Sequence, residues 1–485
     1  MKLRFILTIL LSILCYTITN NEIIIEGKKI LYLSILLLIY LIFELFIQYK
    51  KEKNFFFIKT IFIFSCFNFL LIFGGLTNIF LLDDHYNFLF KYSRYPDDEI
   101  TKQIVKVIIY AIFSCNALFY GYNLITKKNN NNMYLSWLNT FVKNKEFNIN
   151  LLLLIGIIGN FIRLYMFENG LYGRIIDLAD NNAVFLSRVQ IFDQISSVVL
   201  LLLVYSLIFS KRKFTISQYS IFYTLFFLEI MFKSISGARS PIVILCLSIL
   251  FLFYLKSGKI KLKYIITFFG VLIFSFTILS DIKYYVTSNN SNAVGVNPVT
   301  FIKDFSATTN TDNSATFKIL SQALIVSTNF IEDAAVGIYF INTFDMPKNT
   351  PPFKQMLLTS PINAIIPLSI FEFETYSNLG YWFRTEILST ETYNIGTHSA
   401  AMSPITFLYF AFGTLGVLIF FFFFGILLKF IDNLIIGNFY EKIIYISVLI
   451  PTVFLDSGVH GSISTIFRIL FYFPLFFYFI SKKSI

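Results

Sequence analysis

The chain has 485 residues, 56% of them hydrophobic and only 14% charged, with a formal net charge of +11. A soluble globular domain carries about 25% charged residues, and a mean hydropathy of +0.71 is that of a polytopic membrane protein. The basic balance needs no nucleic acid to explain it, because the positive excess is confined to one set of loops and no aromatic-basic recognition motif is present.

A membrane helix needs about 20 mostly apolar residues. In chain order such runs fall at 5–19, 30–48, 55–82, 104–125, 149–167, 194–210, 217–235, 240–256, 264–280, 404–428, 442–457 and 462–480. The expected fold class is therefore all-α, with about twelve transmembrane helices. "MKLR" before the first run has the look of a signal peptide. No small-residue cleavage site follows, and Leu14 is wrong for a lipoprotein signal at Cys15, so the run reads as an uncleaved first helix. With both termini in the cytoplasm, the inside loops carry about +15 and the outside loops about −4, as the positive-inside rule requires. Cys15, Cys66, Cys115 and Cys246 all lie within apolar runs and read as small hydrophobes, with no disulfide expected.

One loop differs from the rest. Residues 281–403 form a long outside segment, punctuated by "NPVTF", "MPKNTPPF" and "SPINAIIPL"; long ordered loops are usually functional. Within it, "TFKILSQALIVSTNFIEDAAVGIYFI" (316–341) has near-helical spacing and reads as an amphipathic helix on the membrane surface or under a cap. The organisation expected is one membrane domain: helices over 1–280, the external segment 281–403, and helices over 404–485. "LLDDHYN" (81–87) and "PDDE" (96–99) read as solvated acidic outside loops.

Arginines gather on the outer side. Arg239, in "SISGARSPIVIL" (234–245), interrupts an apolar stretch. It reads either as a guanidinium snorkelling to lipid phosphate or as an anion contact beside a helix that Ser240 caps and Pro241 opens. Arg174 and Arg188 lie in the 168–193 loop, about four helical turns apart, and read as an anion pair or as a solvated face. Arg163 and Arg468 sit within apolar runs, where a charge is costly and defaults to a functional hypothesis. His460 precedes Arg468 by two turns on one face. Arg384, Glu386, Glu391 and His398 lie in the last part of the external segment, before the chain re-enters the membrane. No metal-ligand spacing appears, and no cofactor is expected.

From about residue 150 onward the chain resembles the Wzy-type O-antigen polymerases, the oligosaccharide repeat unit polymerases. The resemblance rests on "YMFENGLYGRIIDLADNNAVFLSR", on "SISGARSPIVIL", on "THSAAMSPITFLYFAFGTLGVLIFFFFFGILL" with Gly413, Gly416 and Gly425, and on the number of spans with one long outside loop. The spacing from Arg384 to Gly396 departs from the arginine–glycine spacing of some members. The resemblance implies a GT-C-like helical bundle in the bacterial cytoplasmic membrane. It implies transfer of a glycan from polyprenyl pyrophosphate to another lipid-linked repeat unit, without a metal. A flippase and a chain-length regulator are the implied protein partners. A developing pyrophosphate needs fixed cations, and Arg174, Arg188, Arg239 and Arg384 are the candidates. The acceptor hydroxyl needs a base, with His398 first and Glu386 or Glu391 second; Arg163, Arg468 and His460 are secondary candidates. An O-antigen ligase, which takes the same donor to a lipid core, is the nearest rival. A lipid-linked oligosaccharide flippase or other transporter is the non-enzymatic one.

Overall fold

The computed structural model describes residues 2–24, 26–51, 56–70, 72, 97–125, 145–168, 183–209, 214–235, 240–257, 331, 333–365, 379–388, 402–437, 439–453 and 459–483. They are almost wholly helical, with one short antiparallel strand pair. In chain order the elements are α1 (Lys2–Asn20), α2 (Glu26–Lys51), α3 (Thr60–Ser65, continuing as a π turn Cys66–Leu70), α4 (Asp97–Leu124) and β1 (Lys145–Phe147). There follow α5 (Ile149–Glu168), α6 (Ala183–Phe209), α7 (Ile216–Ile235), α8 (Ser240–Ser257), α9 (333–343) and α10 (Phe353–Ile365). Last come α11 (Leu379–Trp382, continuing as a π turn Phe383–Leu388), α12 (Pro404–Asn433), α13 (Phe439–Val453), α14 (Val459–Ile480) and β2 (Ser481–Lys483).

The protein is a helical membrane protein. Among the described residues, four helices are long and apolar enough to cross a bilayer: α2, α4, α12 and α14. α1, α5, α6, α7 and α8 are apolar with shorter described spans. The expected run 264–280 and the acidic loop 81–87 lie outside the described residues. Three boundaries move. α4 begins at Asp97, so "DDE" is its first turn, where carboxylates complement the helix dipole. α6 begins at Ala183, eleven residues before its apolar run, and takes in Arg188. α12 continues to Asn433, so Lys429 and Asp432 are buried in a helix rather than set in a loop.

The chain divides into two compact units. The first comprises Met1–Ser136, Ser321–Asn394 and His398–Phe473; the second comprises Trp137–Leu320, Ile395–Thr397 and Pro474–Ile485.

In the first unit α4 and α12 meet backbone to backbone. A Cβ on Gly121 would stand 2.0 Å from the Phe422 carbonyl oxygen, and one on Gly425 would stand 2.1 Å from that of Leu118. Small residues allow this approach where apolar side chains alone give no drive to associate in lipid. Ser403 caps α12, its Oγ accepting from the Thr406 amide at 3.1 Å, with Pro404 in the first turn. Gly413 breaks α12 with φ 67°, a left-handed conformation that glycine adopts without a Cβ clash.

One end of this unit is tied by buried polar groups. Asp432, 1% exposed, accepts from the Thr60 amide at 2.7 Å, from Thr60 Oγ1 at 2.8 Å and from the Tyr122 hydroxyl at 2.8 Å. The Lys429 ammonium lies 4.6 Å from the Tyr122 ring centroid. Arg4 pairs with the buried Glu44 at 2.8 Å and donates to the Phe119 carbonyl, and the Tyr40 hydroxyl donates to Glu44 at 3.1 Å. Lys51 donates to Asn123 at 3.0 Å. The start of α1, the end of α2, the start of α3 and the ends of α4 and α12 therefore lie together.

In the second unit, β1 pairs with β2 in the register Lys145↔Lys483, Glu146↔Lys482, Phe147↔Ser481. α5 and α7 start side by side, with Gln218 Nε2 donating to Asn150 at 2.7 Å. α6 and α8 end side by side, with Lys256 donating to the Ile208 carbonyl. α5 thus runs alongside α7, and α6 alongside α8.

Candidate functional site

The site gathers at the other end of the first unit, where α12 and α14 begin. The described part of segment 281–403 packs there. α9 is largely buried: a Cβ on Gly337 would stand 2.7 Å from Thr406 Cγ2 and 3.1 Å from the Phe383 ring. The described portion of the expected amphipathic helix is thus a protein-packed element. Tyr409 of α12 donates to Asn342 at 3.0 Å.

Aromatic rings wall this end. Phe353 has its centroid 5.4 Å from Trp382, 5.3 Å from Phe407 and 5.1 Å from Phe410. Phe407 stacks on the His460 imidazole, centroids 5.6 Å apart and planes 15° from parallel. Phe353, Trp382 and Phe407 are buried, so these rings pack the segment onto the head of α12. Beside them is an apolar cleft of about 510 Å³, lined by Met346, Pro352, Phe353, Lys354, Leu358 and Phe410 among others.

Three of the residues singled out from sequence belong to this end. Glu386 lies in the π turn after α11 and accepts from Asn349 Nδ2 at 3.2 Å. His460 lies in the first turn of α14, its Nδ1 buried without a hydrogen-bond partner. Arg468 lies two turns further along α14, partly buried, with no ion-pair partner among the described residues. Glu386 can accept a proton. His460 keeps a buried nitrogen that has no hydrogen-bond partner among the described residues. Arg468 offers an uncommitted guanidinium.

Arg384 falls in the same π turn as Glu386, and Arg188 falls in α6; for these two only the backbone is described. Arg174, Arg239, Glu391 and His398 lie outside the described residues.

Arg163 has a different setting. It is 0% exposed and forms an ion pair with Glu229 of α7. Its Nη2 also lies 3.3 Å from Ser197 Oγ of α6, and Ser197 donates to the same carboxylate. The guanidinium stands 5.8 Å from the Phe232 centroid. It joins three helices instead of standing open to an anion. Glu229 escaped the sequence reading, although a lone carboxylate in an apolar run opposite a lone arginine in another was the available signal.

Among the described residues, no group of three or more His, Cys, Asp or Glu side chains is arranged to hold a metal ion. No protein-family model, curated protein sequence or solved structure matches this chain.

Proposed function

We propose that the protein is a membrane glycosyltransferase that polymerises polyprenyl-pyrophosphate-linked oligosaccharide repeat units into a surface polysaccharide. It does so on the outer face of the bacterial cytoplasmic membrane, through about twelve spans with both termini inside. The observation that carries this reading is the open end of the first unit. There Glu386 and His460 lie by buried aromatic rings and an apolar cleft, in segment 281–403 and at the starts of α12 and α14, with Arg468 two turns further along α14. The orientation is supported by the tied end. Arg4, Lys51, Lys59 and Lys429 belong to helix ends that meet there, as cationic inner ends do.

In this reaction the acceptor hydroxyl gives its proton to a base, His398 or one of Glu386 and Glu391. The hydroxyl oxygen bonds to the anomeric carbon of the donor glycan. The carbon–oxygen bond to pyrophosphate breaks, and polyprenyl pyrophosphate leaves with the electron pair. Arg384, in the same unit as Glu386, is the candidate to hold the charge that develops on it, bidentate guanidinium contacts suiting phosphate oxygens. His460 acts from the head of α14, and Arg468 from about 12 Å further along it.

The test is surface polysaccharide from a deletion strain, resolved by size. Single repeat units on the lipid core without a ladder are expected. Loss of all repeats from the core, with long lipid-linked chains accumulating, would instead make the protein a ligase. An unchanged profile would end the glycan-assembly reading.

A further inference from the structure

α10 belongs by sequence to the external segment, yet its contacts follow the shafts of two membrane helices. The level of its start is set by Phe353, which touches Phe407 and Phe410 of α12. Phe407 also stacks on His460, so Phe353, Phe407 and His460 share one level at the heads of α12 and α14. The level of its end is set by Tyr472, whose hydroxyl donates to the Ile365 carbonyl at 2.6 Å. From His460 to Tyr472 α14 rises by about 18 Å, and from Phe353 to Ile365 α10 rises by the same amount. α10 therefore runs alongside α14, away from the open end. Lys354 near its start lies 5.7 Å from the ring of Phe412, five residues past Phe407 on α12. By Trp382 the chain is back at the starting level, its ring 5.4 Å from Phe353.

The side chains agree with this course. Phe353, Met356, Ser360 and Ala364 form the buried face of α10. The opposite face begins with Lys354 and Gln355 and continues as Leu358, Ile362 and Ile365, exposed by 62%, 51% and 36%. Past Gln355 the exposed described residues are apolar, which suits a bilayer better than water. Its exposed face adjoins the exposed stripe of α12 formed by Phe412, Leu415, Ile419 and Phe423. Non-spanning backbone at membrane depth needs its polar groups satisfied within the protein. α10 does this by helical bonding, with Tyr472 supplying a donor to a carbonyl of the last turn.

We infer that residues 353–365 are a re-entrant membrane helix that dips from the outer face alongside α12 and α14 and presents Leu358, Ile362 and Ile365 to lipid acyl chains. Lys354 and Gln355 stay at the entry. With α14 crossing a hydrocarbon core of about 30 Å, Ile365 lies near its middle. The inference requires that α12 and α14 span a bilayer and takes its outer side from the orientation proposed above; it stands or falls apart from the glycan chemistry.

The experiment places single cysteines by Leu358→Cys, Ile362→Cys and Lys348→Cys in the full chain, with its four native cysteines replaced by alanine, in lipid vesicles. A membrane-impermeant maleimide is expected to label positions 358 and 362 about tenfold or more slowly than 348, because thiolate chemistry needs water that the bilayer core lacks. A bimane at 362 is expected to be quenched by lipids brominated along the acyl chain. Equal labelling at all three positions would overturn the inference. Protection without lipid quenching would also overturn it, since protein and not lipid would then cover the face. If the cysteine-free chain does not fold, the unaltered protein is photolabelled with a diazirine-bearing acyl phospholipid. Adducts within 358–365 are expected. Adducts on α12 at 415–423 with none in 358–365 would reject the re-entrant course.

Discussion

The two ends of the first unit treat buried charge in opposite ways. At the tied end, Asp432 accepts three hydrogen bonds and Glu44 is held by Arg4 and Tyr40. At the open end, His460 keeps a buried nitrogen without a hydrogen-bond partner, and Arg468, two turns deeper, lacks an ion pair, both among the described residues. A buried charge costs free energy unless it is paired: the carboxylates of the tied end are paired, while neutral Gln48 Nε2 there, like His460 Nδ1 at the open end, has no hydrogen-bond partner among the described residues. Paired charges join helices. Unpaired ones are available to a ligand. The second unit repeats the first pattern, with Arg163, Glu229 and Ser197 joining α5, α6 and α7.

The comparison can be broken most forcefully at Glu229. Glu229→Ala leaves a buried guanidinium without its carboxylate and is expected to cost about 3–5 kcal/mol, read from thermal unfolding in detergent. The double variant Arg163→Met, Glu229→Leu is expected to recover most of that loss, since an apolar pair of similar volume replaces the ion pair. A double variant as unstable as the single one would show that the pair does more than join helices. Asp432→Ala strands donors from Thr60 and Tyr122 and is expected to cost about 2–3 kcal/mol, seen in the same assay. Gly425→Ala drives a Cβ toward the Leu118 carbonyl and is expected to cost about 1–3 kcal/mol by overpacking. Gly413→Ala meets no neighbour. Only its left-handed backbone resists, so the expected cost is about 1–2 kcal/mol; a value near zero would mean that α12 straightens in the variant.

The helices were legible in the apolar runs because bilayer thickness sets their length. Their ends were less so. Asp97, Asp98 and Glu99 carry no apolar signal, yet they open α4 because carboxylates suit a helix N-terminus. Lys429 and Asp432 read as loop charges, because only the register of α12 against α3 and α4 reveals Thr60 and Tyr122 around the carboxylate. Glu386, His460 and Arg468 were legible as residue types in unusual places. That the external segment brings Glu386 to the head of α14, through Phe353, Trp382 and Phe407, depends on contacts between segments far apart in the chain. α10 misled for a related reason: its proline, the two before it and its single lysine read as an aqueous loop, and its depth follows only from Tyr472 and Phe412.

The most direct test of the division between paired and unpaired charge is Arg468→Met, with thermal unfolding and the surface-polysaccharide ladder measured for the same variant. Arg468 has no ion pair to lose, so its removal is expected to leave the unfolding midpoint unchanged or raised while the ladder collapses toward single repeats. A lowered midpoint with a full-length ladder would contradict the account and make Arg468 part of the frame.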